Sequence, residues 1–125
     1  MRDNNKLYNH SKKFAIRIIH LGEYLLNKKD RNTILTIIVK QILRSGTSIG
    51  ANISESISAQ STPDFIAKLH IALKEGDETK YWLELLHETD YLTEDEFNSI
   101  YGDLKIINGM LTNNIKKVKE NIDTK

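Results

Sequence analysis

Apolar residues recur along the chain in four stretches, each at helical spacing. In the first, Phe14, Ile18, Leu21 and Leu25 form a stripe that Ile19 and Leu26 widen, and Lys28-Lys29-Asp30 closes it. The second begins near Asp30 or Asn32, either of which is a good N-cap. Its apolar face is expected to be Ile34, Ile38, Ile42, Ile49, Ile53 and Ile57. The third has Thr62 as a cap and Pro63 at the first helical position, with Asp64 favouring the positive end of the helix dipole. From there Phe65, Leu69, Ala72, Gly76, Thr79, Leu83 and Leu86 repeat as a heptad seam. The fourth opens with a capping box, Thr93 paired with Glu96. Phe97, Ile100, Leu104, Ile107, Leu111 and Val118 continue the seam. The pattern predicts helices over about 9–28, 32–60, 63–88 and 94–120. Short connections make them up-down-up-down neighbours. The expected fold is therefore all-α, an antiparallel up-down-up-down four-helix bundle, and the chain 1–125 reads as a single domain with one proline and no linker.

Charge adds a polarity that the net value of +1 conceals. Residues 1–50 carry ten Lys/Arg against three Asp/Glu, and residues 51–100 carry three against eleven. Such segregation implies a basic face for an anionic partner, two complementary faces that meet, or halves that neutralise each other within the bundle. Met1 to His10 is polar, and the longest apolar run, Ile34 to Val39, is short, so no signal peptide or membrane span is expected and the location expected is cytoplasmic. Cysteine is absent, which excludes disulfides, thiol nucleophiles and thiolate metal sites.

A second, polar stripe runs beside the core of helix two: Gln41, Ser45, Ser48, Asn52 and Glu55. Helix three answers with Asp64, Lys68, Glu75 and Glu78. A hairpin turning near Ser61 sets Arg44 opposite Glu78, Ser48 opposite Glu75, and Glu55 opposite Lys68. These pairs are expected to fix the register, with Arg44–Glu78 partly buried because Ser45 and Gly46 admit a close approach of helices two and three. Gly46 and Gly50 lie four apart on one face and suit tight helix packing, within the bundle or between subunits.

Several chemistries find no support. Gly46-Thr-Ser-Ile-Gly50 lacks the spacing and the lysine of a phosphate loop. Glu84-Leu-Leu-His87 is one Glu-x-x-His pair, but a di-metal bundle needs two. His10, His20, His70 and His87 are scattered, and no nucleophile elbow surrounds any serine. Trp82 beside Tyr81 fits either the edge of the core or an interaction hot spot. No catalytic residue, metal ligand or cofactor is assigned.

Two segments carry a resemblance. Gln41-Ile-Leu-Arg-Ser-Gly-Thr-Ser-Ile-Gly-Ala-Asn-Ile-Ser-Glu55 and Ala72-Leu-Lys-Glu-Gly-Asp-Glu-Thr-Lys-Tyr-Trp-Leu-Glu-Leu-Leu86 resemble the bacterial four-helix bundles encoded in 23S rRNA intervening sequences. Ser61 to Leu69 is similar to that family too. The resemblance implies an up-down bundle, commonly a ring of five, with no established enzymatic activity. A related branch, the accessory proteins of diversity-generating retroelements, consists of basic barrels that bind nucleic acid. The acidic middle and the net charge of +1 depart from that branch; Gly76-Asp77 is also unusual for the resemblance, which leads to a small non-glycine residue at position 76.

The first expectation is thus a non-enzymatic oligomeric scaffold whose partner is itself, with a pentameric ring implied by the resemblance. The alternative is an RNA- or DNA-binding module. It would act through Lys12, Lys13, Arg17, Lys28, Lys29, Arg31 and Lys40 on the first two helices and Lys116, Lys117 and Lys119 near the C-terminus. A metal-binding bundle enzyme is a third reading.

Overall fold

A computed structural model of the chain describes the backbone of residues 2–123 and the side chains of residues 6–122. It contains four helices in the order α1 (Arg2–Leu26), α2 (Thr33–Ile57), α3 (Thr62–Glu88) and α4 (Glu94–Asp123), and no strand among the described residues. Each helix packs on its sequence neighbours, α1 closes against α4, and the diagonal pairs stay apart. Contacts climb one helix as they descend its neighbour. Gly22 meets Val39 whereas Gly50 meets Ser11. Arg44 meets Glu78 whereas Glu55 meets Lys68. His87 stacks on Phe97 whereas Gly76 meets Asn108. Lys28 reaches Tyr91 whereas Arg17 reaches Asp103. All four seams are therefore antiparallel.

The caps explain the boundaries. Asn32 accepts the Leu35 N–H at 3.0 Å and starts α2. Ser61, rather than Thr62, caps α3 by accepting from Asp64 N at 3.2 Å, which shifts Pro63 one place inward, where its missing N–H is still harmless. The α4 capping box forms in both directions, with Thr93 N donating to Glu96 Oε1 at 2.8 Å and Glu96 N to Thr93 Oγ1 at 3.1 Å. Helix α3 ends in a Schellman motif, in which Tyr91 N donates to Leu86 O and Asp90 N to His87 O. Asp90 occupies its left-handed position, φ 67°.

One core runs through the bundle, from Leu7, Phe14, Ile18 and Leu25 on α1 to Ile100, Leu104, Ile107, Leu111 and Ile115 on α4. The α3 seam lies inside from Leu69 to Leu86, with Phe65 half-buried at its end. Three expectations need correction. Ile19 does not widen the α1 stripe but is 46% exposed, one position past the buried Ile18 and turned away from the core. Helix α1 begins seven residues earlier than its apolar stripe suggested, because Leu7 and the fully buried Ser11 extend that stripe through the polar N-terminal stretch. On α2 the core face is Leu35, Val39, Ile42, Ile49 and Ile53, while Ile34 is 73% exposed and Ile57 45%. Steps of four overshoot one turn by about 40° each, so a stripe of isoleucines four apart drifts off the core at both ends.

The glycines also sit differently. Gly46 and Gly50 face α1, not α3: a Cβ on Gly46 would come within 3.0 Å of Ile18, and one on Gly50 within 3.2 Å of Ser11 Oγ. The close approach they permit belongs to the α1–α2 seam. Between α2 and α3 the contact is made by Ser45 and Thr79, both fully buried, whose hydroxyls are 2.9 Å apart. Thr79 also bonds the Glu75 carbonyl at 2.8 Å, so this buried polar pair is satisfied.

Candidate functional site

The α2–α3 seam gathers the polar residues singled out in the sequence. Arg44 Nη2 donates to both carboxylate oxygens of Glu78, at 2.9 and 3.2 Å, a contact shared from one nitrogen. Trp82 Nε1 donates to the same carboxylate at 3.2 Å while its ring packs against the core. The Arg44 side chain is 57% exposed and Glu78 32%, so the pair lies at the rim of the seam and not inside it. Glu78 is partly buried and Arg44 is not: Ser45 does face α3, at Thr79, but Gly46 faces α1. Glu75 is the buried acid, 14% exposed and 3.8 Å from Arg44, and its Oε2 is shielded with no hydrogen-bond partner. Ser48 does not reach Glu75; it bonds the Arg44 carbonyl, and Asn52 bonds the Ser48 carbonyl, both along their own helix. Glu55 and Lys68 meet at 3.6 Å near the hairpin.

The ten basic residues suggested as nucleic-acid contacts are spread over α1, α2, the turn between them and α4. Lys12 and Lys13 are exposed on α1, and Lys40 on α2. Lys28, Lys29 and Arg31 mark the turn between these helices, while Lys116, Lys117 and Lys119 lie near the end of α4. Four of the ten are engaged within the chain, Lys12 lying 6.0 Å from the centre of the Tyr8 ring. Arg17 holds Asp103 at 2.7 Å and the Ser99 carbonyl at 3.1 Å. Lys28 donates to Tyr91 O and lies 4.8 Å over the Tyr24 ring. Arg31 bonds the Leu26 carbonyl at the end of α1.

Two further features had no place in the sequence reading. A cleft of about 460 Å³ opens between α1 and α4, with Leu21, Leu92 and Ile100 as its apolar floor. Its charged rim is already committed: Arg17 to Asp103, and Glu96 to the α4 cap, where the Thr93 N–H and the Tyr24 hydroxyl hold the carboxyl below its ordinary range. Between α3 and α4, His87 stacks on Phe97 with centroids 4.5 Å apart, and Phe97 stacks on Tyr101 at 5.3 Å. Lys80 and Lys105 lie 5.7 and 5.4 Å from the Tyr101 ring centre. The Tyr101–Lys105 spacing is visible in the sequence, but Lys80 joins only through the α3–α4 register. Among the described residues no group of three His, Asp or Glu could hold a metal ion. His87, from the Glu-x-x-His pair, is spent on Phe97.

No curated protein matches the chain. A crystal structure of a protein with unknown function, from the S23 ribosomal protein family of Bacteroides thetaiotaomicron VPI-5482, superposes with a TM-score of 0.85 at 49% identity, covering 91% of this chain and 98% of that one. Residues 3–113 match the family described as 23S rRNA-intervening sequence protein. With a four-helix fold shared along nearly its whole length, the chain belongs to the 23S rRNA-intervening sequence protein family.

Proposed function

We propose that the protein is a non-catalytic assembly module of the cytoplasm, whose subunits join head-to-tail. The observation that supports this reading is the pair of unlike faces it presents. The outer side of α1 exposes Ile16 and Ile19, 47% and 46%, beside Lys12 and Lys13. The α2–α3 side exposes Ile34 and Ile37, 73% and 53%, together with Tyr81, on the side that also holds Glu75 and Glu78. Clustered exposed isoleucine is unusual for a surface with no partner. Two unlike faces of this kind suit a heterologous interface, which closes into a ring when its rotation permits. A ring of five is what the family resemblance implies.

Light scattering coupled to size exclusion tests the proposal. A discrete oligomer is expected at protein concentrations of tens of micromolar. The double substitution Ile16→Glu with Ile19→Glu is expected to dissociate it, while Ile106→Glu, on the exposed side of α4, leaves it intact. A strict monomer, or equal dissociation by both variants, would refute the reading.

A further inference from the structure

The assembly faces above leave the α3–α4 groove open, and that groove carries an ordered run of aromatic and basic groups. At one end is the His87–Phe97–Tyr101 ladder. Tyr101, Lys105, Thr112, Lys116 and Lys119 follow along α4 at spacings of four, seven, four and three, which keeps them on one side of the helix. Lys80 reaches the same place from α3, its ammonium 5.7 Å from the centre of the Tyr101 ring. At the other end a cavity of about 360 Å³ is lined by His70, Leu73, Thr112, Ile115, Lys116 and Lys119. Acidic groups bound the stripe: Asp77 and Glu84 beside Lys80, and Glu120 at the far cavity. From Tyr101 to Lys119 the run covers about 27 Å at helical rise.

The geometry points to a further function: the α3–α4 groove binds single-stranded nucleic acid, a base stacking at Tyr101 and phosphates lying on Lys80, Lys105, Lys116 and Lys119. Aromatic rings serve any base because each has a π-face, and lysines along a groove track the backbone without reading sequence. A length of 27 Å accommodates roughly four or five nucleotides, the low end of single-strand site sizes. A duplex fits less well, since its bases are stacked on each other and unavailable to Tyr101. The site does not depend on self-association, because it lies on neither of the faces assigned to that.

Fluorescence anisotropy with labelled oligo(dT) and oligo(rU) of about twelve nucleotides tests the inference on the full-length protein. Binding is expected at about 50 mM salt, with a slope of log affinity against log salt of about −3 for four phosphate contacts. Tyr101→Ala is expected to weaken binding about tenfold, and Tyr101→Phe to retain it. The pair Lys105→Ala with Lys119→Ala should reduce the slope by about 1.4. These lysines are exposed, so the variant keeps its fold, and circular dichroism verifies that. Lys29→Ala, exposed at the α1–α2 turn and outside both assembly faces, should change affinity by less than about twofold. Absence of binding at low salt, a flat salt dependence, equal affinity for the duplex of the same length, or an equal loss in the Lys29 variant would each overturn the inference.

Discussion

Gly76 and Asn108 give the sharpest test of how α3 and α4 fit. The carboxamide of Asn108 occupies the space that a side chain on Gly76 would need: an ideal Cβ there would meet Oδ1 inside van der Waals contact, with Cγ at 3.0 Å and Nδ2 at 3.3 Å. The same Oδ1 is shielded from solvent and has no hydrogen-bond partner. Two effects oppose each other in Gly76→Ala. Removing a glycine from a helix interior gains about 1 kcal/mol. Moving Asn108 off its rotamer costs about 0.5–1.5 kcal/mol, and lost packing adds about as much again. The single variant is therefore expected to be destabilised by about 0.5 kcal/mol. Asn108→Ala removes the unbonded oxygen, whose burial costs about 1–3 kcal/mol, but leaves a small void, so it is expected to be near neutral. In that background Gly76→Ala meets nothing and should gain its full increment of about 1 kcal/mol. The coupling between the two substitutions is then about 1.5 kcal/mol. Urea titration followed by circular dichroism measures it, at one fixed protein concentration because any self-association contributes to apparent stability. A coupling below about 0.5 kcal/mol would show that Asn108 does not fill the Gly76 gap and would refute the reasoning.

Three further outcomes concern the caps of α3 and α4 and the α2–α3 seam. Asp90 holds the left-handed position of the α3 Schellman motif, so Asp90→Gly is expected to raise stability by about 1 kcal/mol, or Tm by about 3–5 °C in a thermal melt. Arg44→Ala and Glu78→Ala should each cost about 1 kcal/mol or less, with a double-mutant coupling under about 1 kcal/mol, because the guanidinium is more than half exposed; a coupling near 3 kcal/mol would mean a buried pair. Glu96 is held below its ordinary range in the folded protein, so its contribution is fully present above about pH 4.3 and is lost as pH falls through the depressed value; Glu96→Gln should flatten that part of a melting-temperature profile against pH, and an unchanged acid limb would contradict the assignment.

The inward face of each helix was the part legible from sequence, and its clarity depended on how regularly apolar residues alternated in steps of four and three. On α3 that alternation is unbroken, and Leu69 through Leu86 lie in the core as expected. On α2 abundant isoleucine obscured it, since Ile34 and Ile38 continue a plausible stripe while Leu35 and Val39 do the packing. On α1 Leu7 stands alone among polar residues, and periodicity has no purchase on a single residue. Cap chemistry is local and was readable at Thr93 and Asn32, with a shift of one residue at Ser61. The Gly76–Asn108 fit left no sequence signal, because each residue is unremarkable until α4 is laid against α3.

Outward faces obey a different logic, which explains why the site was only half visible. Hydrophobic periodicity constrains what points inward; what shares an outer groove depends on register between helices. The α2–α3 register could be guessed because its hairpin is short and opposite charges mark it: Arg44 with Glu78 and Lys68 with Glu55. The α3–α4 register carries no such marks, being set by Asn108 against Gly76 and by His87 on Phe97. Counting lysines therefore directed attention to α1, α2, the turn between them and the end of α4; Lys116 and Lys119 line the groove, whereas Arg17, Lys28 and Arg31 are already spent on holding the bundle together. Fewer lysines line the α3–α4 groove, but they lie beside an aromatic ladder and along one helix side. For recognition of a single strand, that arrangement matters more than the number of charges, because stacking needs a ring at the start of the track and phosphates need cations at helical intervals along it.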